Sequence, residues 1–351
     1  MLFQTCLAQQ LKLHPSMQPQ DGVKLCYQAA YGPEHLLNDL DGAWRYLEAE
    51  FNRVSPTEGA LFEPISPDIC RVNLSVWKER GLPPQWLFRI FAASCKAREN
   101  AGKLFSEYLQ QAEEVLREHA LFPMEAWDAY LQEYKRIGMP AVHHSTIYRE
   151  QEQPAYRIAD RRFCKLIPIL EKAVAYAKKA KPCIIAIDGR AASGKTTLAE
   201  DLQNVLDAAV IHMDDFFVPP ALRSAERFQK PGENIHHERF TEEVLPFLSG
   251  EKPFSYRIFD CSQMDYNGTR EVERKPFRIV EGSYSCHPVF GSYGDITVFS
   301  DVTPEQQITR IRNRNGEEML KLFRERWIPM EEAYFTHYKI KEAAHILLSV
   351  N

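Results

Sequence analysis

The chain has 351 residues, of which 44% are apolar, and this length and composition allow two ordinary globular domains with buried cores. Its net charge of −5 at pH 7 argues against a general nucleic-acid-binding surface. No segment approaches the roughly 20 apolar residues that cross a bilayer, and the N-terminus lacks the basic start and apolar stretch of an export signal. We therefore expect a soluble cytoplasmic protein with neither a membrane nor a nucleic acid as partner, and the sequence leaves its oligomeric state open.

The eight cysteines are scattered along the chain, with no close pair and no companion histidines at zinc-binding spacing. Such a distribution is more typical of buried, reduced thiols than of disulfides or a metal site. We expect free thiols.

Residues 1–165 have the apolar spacing of helices. Val23, Cys26 and Ala30 repeat at helical intervals behind Asp21, which is a good N-terminal cap. Glycine and proline clusters divide the region into several amphipathic segments, and no internal repeat is found. We predict an all-helical N-terminal domain. The sequence does not decide whether this domain helps to define the substrate, senses a metabolite or mediates assembly.

Two stretches of this domain are rich in hydrogen-bonding side chains, residues 31–35 and residues 143–149, with Tyr156 and Arg157 beyond the second. One interpretation is that these side chains satisfy loops and helix caps. The other is that they line a substrate pocket or bind a partner. The sequence favours the first.

Near residue 181 the pattern changes to short β-branched strands that alternate with helices. The predicted strands are 184–187, 209–211, 277–280, 296–299 and 345–350. This alternation is typical of a parallel sheet covered by helices on both faces. We therefore predict an α/β fold, in which a nucleotide-binding domain over residues 166–351, with a parallel sheet flanked by helices, follows the all-helical domain over residues 1–165.

The first of these strands leads into a phosphate-binding loop (P-loop, Walker A) with the pattern G-x-x-x-x-G-K-[ST], and a helix-favouring run follows it. Glycines let successive backbone N–H groups surround a phosphate, and the following helix directs its positive end to the same point. Lys195 is expected to reach the β and γ phosphates, and the Thr196 hydroxyl to ligate Mg²⁺. The residues predicted to bind the nucleotide are Gly189, Arg190, Ala191, Ala192, Ser193, Gly194, Lys195, Thr196 and Thr197.

An acidic pair, Asp214 and Asp215, follows the second strand. Carboxylates at the carboxyl end of a parallel strand point into the crevice where ligands of such sheets bind. Phosphoryl transfer to an alcohol needs a base at the hydroxyl, and Asp214 is the first candidate. Asp215 is the second, with capping of the following turn as its alternative role. Asp214 is also a candidate Mg²⁺ ligand.

A further carboxylate, Glu281, stands beside Gly282 at the end of an apolar strand. P-loop enzymes place a second carboxylate in this position to order Mg²⁺ or its waters. We predict that role for Glu281.

A basic run that contains Arg310 and Arg314 lies beyond the next strand. Guanidinium groups pair bidentately with phosphate oxygens and can stabilise the migrating phosphoryl group. A basic segment between two strands is therefore interpreted as a closing lid, with Arg310 and Arg314 acting together as catalytic groups. An ordinary charged helix is the alternative.

These motifs and their order give residues 181–350 a resemblance to the uridine kinase-like family, which includes uridine kinase, nicotinamide riboside kinase, pantothenate kinase and phosphoribulokinase. Residues 189–196 are similar to the family's phosphate loop, and residues 212–217 resemble the riboside-kinase form of its second motif. The resemblance implies that Asp214 is the base, that Phe217 lies against the acceptor, and that residues 310–314 belong to the lid.

The acceptor does not follow from the resemblance. Uridine kinases carry an Asn-Phe-Asp segment that touches the ribose, whereas this chain has Asn234-Ile235-His236. Our candidates for acceptor contacts, besides Asp215 and Phe217, are Arg227, Arg257 and Tyr284. The N-terminal half has no counterpart in those small kinases.

The sequence therefore predicts a P-loop kinase that uses ATP and Mg²⁺ to phosphorylate a hydroxyl of a small metabolite, such as a nucleoside, sugar or vitamin precursor. The competing interpretation is a nucleotide-dependent switch whose hydrolysis drives a change in the N-terminal domain. A third is a scaffold with a decayed kinase half. An acid pair and a basic lid favour transfer over switching, and the intact Gly194-Lys195-Thr196 argues against decay.

Overall fold

A computed structural model of the chain describes residues 2–33, 39–119, 122–177, 179 and 181–349. It divides into two compact units, Met1–Cys164 (unit 1) and Lys165–Asn351 (unit 2). Within the described residues, no helix combines the length and the apolar character that a membrane span requires.

Unit 1 consists of helices and one small sheet. Its described helices are α1 Leu2–Leu13, α2 Pro19–Tyr31, α3 Leu40–Arg53, α4 Leu74–Glu79, α5 Pro84–Ser94, α6 Ala101–His119, α7 Met124–Arg136 and α8 Thr146–Glu152. Its strands are β1 Phe62–Pro64, β2 Ile69–Asn73 and β3 Tyr156–Asp160, which form an antiparallel sheet in the order β1-β2-β3.

This sheet corrects the prediction that the N-terminal domain is all-helical. Four consecutive residues of β2, from Ile69 to Val72, are buried, so the strand lacks the alternation of apolar and polar residues that would reveal it. β1 has only three residues and β3 five, which is too short for periodicity to separate a strand from a helix or a loop.

A cluster of buried polar side chains lies among α2, α8 and the sheet. Asp21 accepts hydrogen bonds from the backbone N–H of Gln18 (3.0 Å), the N–H and hydroxyl of Ser145 (3.0 and 2.7 Å) and Nδ1 of His144 (2.8 Å). The Nε2 atom of His144 lies 2.6 Å from the Tyr156 hydroxyl. In the polar stretch 143–149, His144 and Ser145 therefore satisfy partners within the unit. Residues 34 and 35 of the other stretch lie outside the described residues.

Unit 2 is an α/β layer structure. Its strands are β4 Cys183–Gly189, β5 Ala208–His212, β6 Phe254–Asp260, β7 Asp265–Val272, β8 Phe277–Glu281, β9 Ile296–Asp301 and β10 Ile346–Ser349. Its described helices are α9 Ile167–Ala173, α10 Lys195–Leu206, α11 Ala225–Phe228, α12 His237–Glu243, α13 Pro304–Leu322, α14 Ile328–Tyr338 and α15 Ile340–Ala343.

Five of these strands form a parallel sheet in the order β10-β9-β4-β8-β5, and this confirms the predicted α/β fold with a C-terminal parallel sheet. The final predicted strand ended at Val350, which lies outside the described residues. The hairpin β6–β7 was not predicted. Its β6 strand has an irregular burial pattern, because a register shift between Arg257 and Phe259 interrupts the alternation.

The sheet register brings three strand ends to one edge. Ile187 of β4 lies opposite Glu281 of β8, and Glu281 lies opposite His212 of β5. The turns that follow β4, β5 and β8 therefore start at the same level, so the P-loop, Asp214 and Glu281 share one crevice. Beyond β9, α13 is broken at Gly316, whose φ is 80°, and a π-helical turn, Phe323–Trp327, joins it to α14.

Candidate active site

The loop between β4 and α10 has a backbone that requires glycine at both ends. Gly189 has a φ of 140°, and a Cβ atom there would collide with the carbonyl oxygen of Ser300. Gly194, with a φ of 91°, adopts the left-handed conformation immediately before the first residue of α10. The helix N-terminus, with its unpaired N–H groups, therefore points at the loop, as an anion site requires.

Lys195 lies folded across this loop. Its Nζ atom donates to the carbonyl oxygens of Gly189 (2.8 Å) and Arg190 (2.9 Å) and to the Ser283 hydroxyl (3.2 Å). All three acceptors are neutral, so none of them cancels the ammonium charge. The lysine is held where an anion on the loop would meet it.

The Thr196 hydroxyl and Glu281 form a donor set that suits Mg²⁺. The hydroxyl lies 3.3 Å and 3.4 Å from the two carboxylate oxygens of Glu281, and one of those oxygens lies 2.6 Å from Nδ1 of His212. Within the described residues, no group of three or more His, Cys, Asp or Glu side chains forms a metal site. Mg²⁺ commonly keeps several waters and is shared between one or two protein oxygens and substrate phosphates, so a sparse set of this kind fits it.

A cavity of about 590 Å³ opens over the loop. It is lined by most of the predicted site residues: Ala191, Ala192, Gly194, Lys195, Thr196, Thr197, Asp214, Phe217, Glu281, Tyr284, Arg310 and Arg314. The structure thus brings together residues that are separated in sequence by more than 100 positions.

Asp214 lines this cavity from a 3₁₀ turn that follows β5, and its side chain is exposed. Desolvation by the surrounding protein raises the pKa of its carboxyl group, and the negative charges of Glu281 and Asp215 raise it further. The positive charge of Lys195 and the neighbouring His212 act in the opposite direction. A carboxylate with a raised pKa holds a proton more strongly, which suits a general base.

Asp215, its neighbour, points the other way and is buried. Its carboxylate accepts from the Tyr256 hydroxyl (2.9 Å) and from Nε of Arg270 (3.0 Å), both on the β6–β7 hairpin. Asp215 does not line the cavity. The geometry assigns it to anchoring the hairpin, which is none of the roles that the sequence suggested, namely second candidate base, cap of the following turn and acceptor contact.

Arg310 and Arg314 both lie on α13 and line the cavity. One terminal nitrogen of Arg310 donates to the Ala192 carbonyl oxygen at 3.3 Å, and Nε of Arg314 donates to Asn315 at 2.8 Å. Neither guanidinium is paired with a carboxylate in the part of the chain that the structure describes. Both are free to meet phosphate oxygens.

Two predicted acceptor contacts lie elsewhere. Arg227 donates to both carboxylate oxygens of Glu238 (3.0 and 2.9 Å), and Arg257 pairs with Glu243 on the solvent side of the hairpin. Neither arginine lines the cavity. Tyr284 does line it, with a strained φ of 75° and a buried ring, and burial raises the pKa of its hydroxyl well above the ordinary value.

Two buried carboxylates that support the loop were not predicted. Asp188 accepts from the N–H groups of Gly189 (2.7 Å), Tyr284 (3.1 Å) and Cys286 (2.9 Å) and from the Tyr334 hydroxyl (2.8 Å). It fixes the end of β4 against the turn after β8. An acid at the end of an apolar strand was a signal available in the sequence.

Glu331, on α14, is the second of these carboxylates. It accepts from the Ala191 N–H at 2.9 Å and from the Ser283 hydroxyl at 2.7 Å. Burial raises the pKa of its carboxyl group, whereas the nearby charge of Lys195 lowers it. Its partners are 140 and 48 positions away, so no local pattern could have pointed to it.

The cavity also has aromatic and apolar lining residues that the sequence did not reveal. Phe228, Phe323 and Trp327 line it, together with Met264, Met319 and Leu322. Two polar side chains, Arg223 and Asn234, stand among them.

The chain is similar to solved kinases in its fold. One is a possible uridine kinase from Bacillus stearothermophilus, which is 22% identical, has a TM-score of 0.41, and matches over 53% of this chain and 99% of its own. Another is a candidate fructose transport system kinase from a Silicibacter species, which is 19% identical, has a TM-score of 0.42, and matches over 52% of this chain and 98% of its own. No protein-family model matches this chain, and no curated protein matches it.

Proposed function

We propose that the protein is a kinase that uses ATP and Mg²⁺ to phosphorylate a hydroxyl of a small metabolite of the nucleoside, sugar or vitamin-precursor type. One observation carries the proposal: Lys195 on the phosphate loop and Asp214, in the turn after β5, line the same cavity of about 590 Å³. A base and a phosphate site in one cavity is the arrangement that transfer to an alcohol needs.

The loop N–H groups and Lys195 hold the triphosphate, and Thr196 and Glu281 hold the metal ion. Mg²⁺ supplies charge neutralisation at the β and γ phosphates when it is bound. Asp214 takes the proton of the acceptor hydroxyl. The hydroxyl oxygen then bonds to the γ phosphorus while the bond from that phosphorus to the bridging oxygen breaks, and ADP leaves. Arg310 and Arg314 pair with the transferring group from the α13 side.

The raised pKa of Asp214 predicts the pH dependence of the reaction. The base acts in its ionised form, so kcat/KM should fall as pH drops through a pKa above the ordinary value of an aspartate near 3.9. A pH–rate profile of wild type tests this. The acidic limb should disappear from any residual activity of Asp214→Asn.

The direct test combines ATP with a cell metabolite extract and uses mass spectrometry to find compounds that gain a phosphate. Wild type should produce at least one, and Asp214→Asn should lower its rate by about 10²- to 10⁴-fold. In both proteins Mg²⁺ and ATP should raise the melting temperature to a similar extent. ATP hydrolysis that no metabolite stimulates, but that a protein does, would support the nucleotide-dependent switch instead.

A further inference from the structure

The lining of the cavity includes a polar side chain, Asn234, whose amide atoms make no hydrogen bond within the described residues. Asn234 is 3% exposed, and neither its amide nitrogen nor its amide oxygen has a hydrogen-bond partner among the described residues. Burial raises the pKa of the nearby Tyr284 hydroxyl, and a polar contact from the Asn234 side chain lowers it, but this contact does not meet hydrogen-bond distance and angle, and the amide oxygen has no donor. A buried amide left without partners is costly, so such groups are uncommon unless a ligand completes them.

The backbone around Asn234 is firmly held. Its carbonyl oxygen accepts from the Val218 N–H at 3.2 Å, and Ile235 forms a β-bridge with Phe217. The position of the amide is therefore set by the same short segment that follows the proposed base. The unused amide belongs to the acceptor side of the cavity.

Arg223, whose guanidinium is not paired with a carboxylate among the described residues, lies on the same side of the cavity as Asn234. Arg223 donates from Nε to the Val218 carbonyl oxygen at 2.9 Å, which fixes the direction of its guanidinium. Its two terminal nitrogens meet no carboxylate or other acceptor within the described part of the chain. Arg227, four residues later, is in contrast fully paired with Glu238.

Arg223 and Asp214 act on a common neighbour. Desolvation raises the pKa of the Cys261 thiol and is the largest influence on it; the charge of Arg223 lowers this pKa, and the charge of Asp214 raises it. All three side chains line the cavity. The guanidinium therefore lies within electrostatic reach of the region where the acceptor hydroxyl must sit.

We propose that the acceptor is an anionic alcohol: a small molecule with a phosphate or carboxylate group that pairs with the terminal nitrogens of Arg223 and a polar group that the Asn234 amide binds. This inference rests on the proposed function, because it describes the acceptor of the same reaction. The negative charges of Asp214 and Glu281 would repel such a molecule, and Arg223 offsets them. A neutral acceptor would leave the cation without a partner.

The test separates a metabolite extract, cleared of nucleotides, by anion exchange into a bound fraction and a neutral flow-through. Each fraction is incubated with the protein and radiolabelled ATP, alongside Asp214→Asn. We expect transfer that depends on Asp214 into the bound fraction, at least tenfold above transfer into the flow-through. Treating the bound fraction with a phosphatase, inactivated afterwards, distinguishes the two anions, since a phosphate ester loses its charge and a carboxylate keeps it.

Substitutions then test whether Arg223 is the residue that recognises the negative charge of the acceptor. Arg223→Met should raise the KM for the bound-fraction acceptor by about tenfold or more, as loss of a charge-assisted contact does, and Arg223→Lys should raise it less. Arg274→Met, which removes an exposed cation outside the cavity, is the matched control and should leave the KM unchanged. Asn234→Leu, close to isosteric, should raise the KM for the acceptor without lowering the melting temperature, because it removes an unsatisfied amide.

The outcomes separate the two proposals. Asp214-dependent transfer into the neutral flow-through alone would overturn the anionic acceptor and leave the kinase standing. An unchanged acceptor KM in Arg223→Met would also overturn it. Transfer into neither fraction would remove the kinase proposal, and the acceptor inference with it.

Discussion

Unit 1 and unit 2 each contain a buried carboxylate in contact with a histidine, Asp21 with His144 and Glu281 with His212, but the surroundings of the two pairs differ. In unit 1 the cluster of Asp21, His144, Ser145, Tyr156 and Arg71 is internally satisfied. In unit 2 Glu281 borders a cavity together with Arg223 and Asn234, and among the described residues the terminal nitrogens of Arg223 and the amide of Asn234 have no hydrogen-bond partner. A dense group of ionisable residues therefore does not by itself mark a site, whereas unpaired polar groups around a cavity do.

Arg71 illustrates the satisfied case. It donates to Gln10 (2.8 Å) and Gln28 (2.9 Å), lies 3.4 Å from a Glu63 oxygen, and stacks 4.5 Å from the centre of the Tyr156 ring. Nothing in this arrangement is left for a ligand. The interpretation that residues 143–149 satisfy internal contacts fits His144 and Ser145.

The largest effect that this comparison predicts is on the stability of unit 1. Asp21→Ala removes the acceptor of four hydrogen bonds and leaves His144 and Ser145 unsatisfied, which should lower the free energy of unfolding by about 3–5 kcal/mol. Trp44, Trp77, Trp86 and Trp127 are four of the five tryptophans, so tryptophan fluorescence during urea unfolding reports mainly on this unit.

Asp128→Ala, at an exposed position of α7, is the control and should change stability by less than about 0.5 kcal/mol. Equal effects of the two substitutions would show that the buried cluster is not what stabilises unit 1.

The second prediction concerns unit 2, where Lys195 lines the cavity and has only neutral hydrogen-bond acceptors among the described residues. Lys195→Ala removes the ammonium group from the loop and should lower transfer by about 10²- to 10³-fold. Mg²⁺ and ATP should no longer raise the melting temperature, although the fold stays intact. Lys252→Ala, at an exposed position, should behave as wild type. A normal thermal shift in Lys195→Ala would contradict the nucleotide site.

The third prediction uses the titration of His144. Burial lowers its pKa to about 4, with Lys24 and Arg71 acting in the same direction and Asp21 opposing them. Above pH 6.5 the ring is neutral in both states. Between pH 6.5 and 4 the unfolded chain binds a proton that the folded chain does not, so the free energy of unfolding falls by about 3 kcal/mol as pH drops.

Urea unfolding at pH 7 and pH 4.5 measures this loss, and His144→Gln should reduce it. The pKa of Asp21 is lowered, so the stability it contributes is lost only at pH values below that window. His143→Gln, at the exposed neighbouring position, should keep the full pH dependence. A pH response that is the same in both variants would count against a neutral, buried His144.

The smallest effect separates two adjacent residues. Asp215→Asn breaks the ion pair with Arg270 and weakens the contact with Tyr256, which should lower stability by about 1–3 kcal/mol. Asp214→Asn breaks no side-chain contact in the described structure and removes a charge that lies close to Glu281, so stability should stay constant or rise. Melting temperatures measure both. A larger loss in Asp214→Asn would reverse the assignment.

The parallel sheet and the phosphate loop could be predicted because both depend on local sequence. The loop requires glycine at two positions and a strand and a helix around it, and all of this is visible within 20 residues. The positions of Asp214 and Glu281 could be predicted for a related reason, since a carboxylate at the end of an apolar strand, or just beyond it, lies at the ligand edge of a parallel sheet.

The rest depends on distant partners. Asp215 turns away from the cavity because the hairpin offers it Tyr256 and Arg270, 41 and 55 positions later. Arg227 was an acceptor candidate because of its charge, but Glu238 satisfies it, and Arg223 was overlooked although it has the same chemistry. Which arginine stays unpaired is decided by tertiary structure, and no spacing rule distinguishes the two.

The tight turn after β5 sends consecutive carboxylates to opposite sides, one to solvent-filled space and one into the protein. The buried Tyr256 and the partly exposed Arg270 are thereby connected, through Asp215 and a single peptide unit, to the proposed base Asp214. Substitutions of Tyr256 or Arg270, neither of which lines the cavity, would therefore shift the proposed base and change the rate of transfer. Homologues that differ at these two hairpin positions should therefore also differ at Asp215, the residue that follows the proposed base.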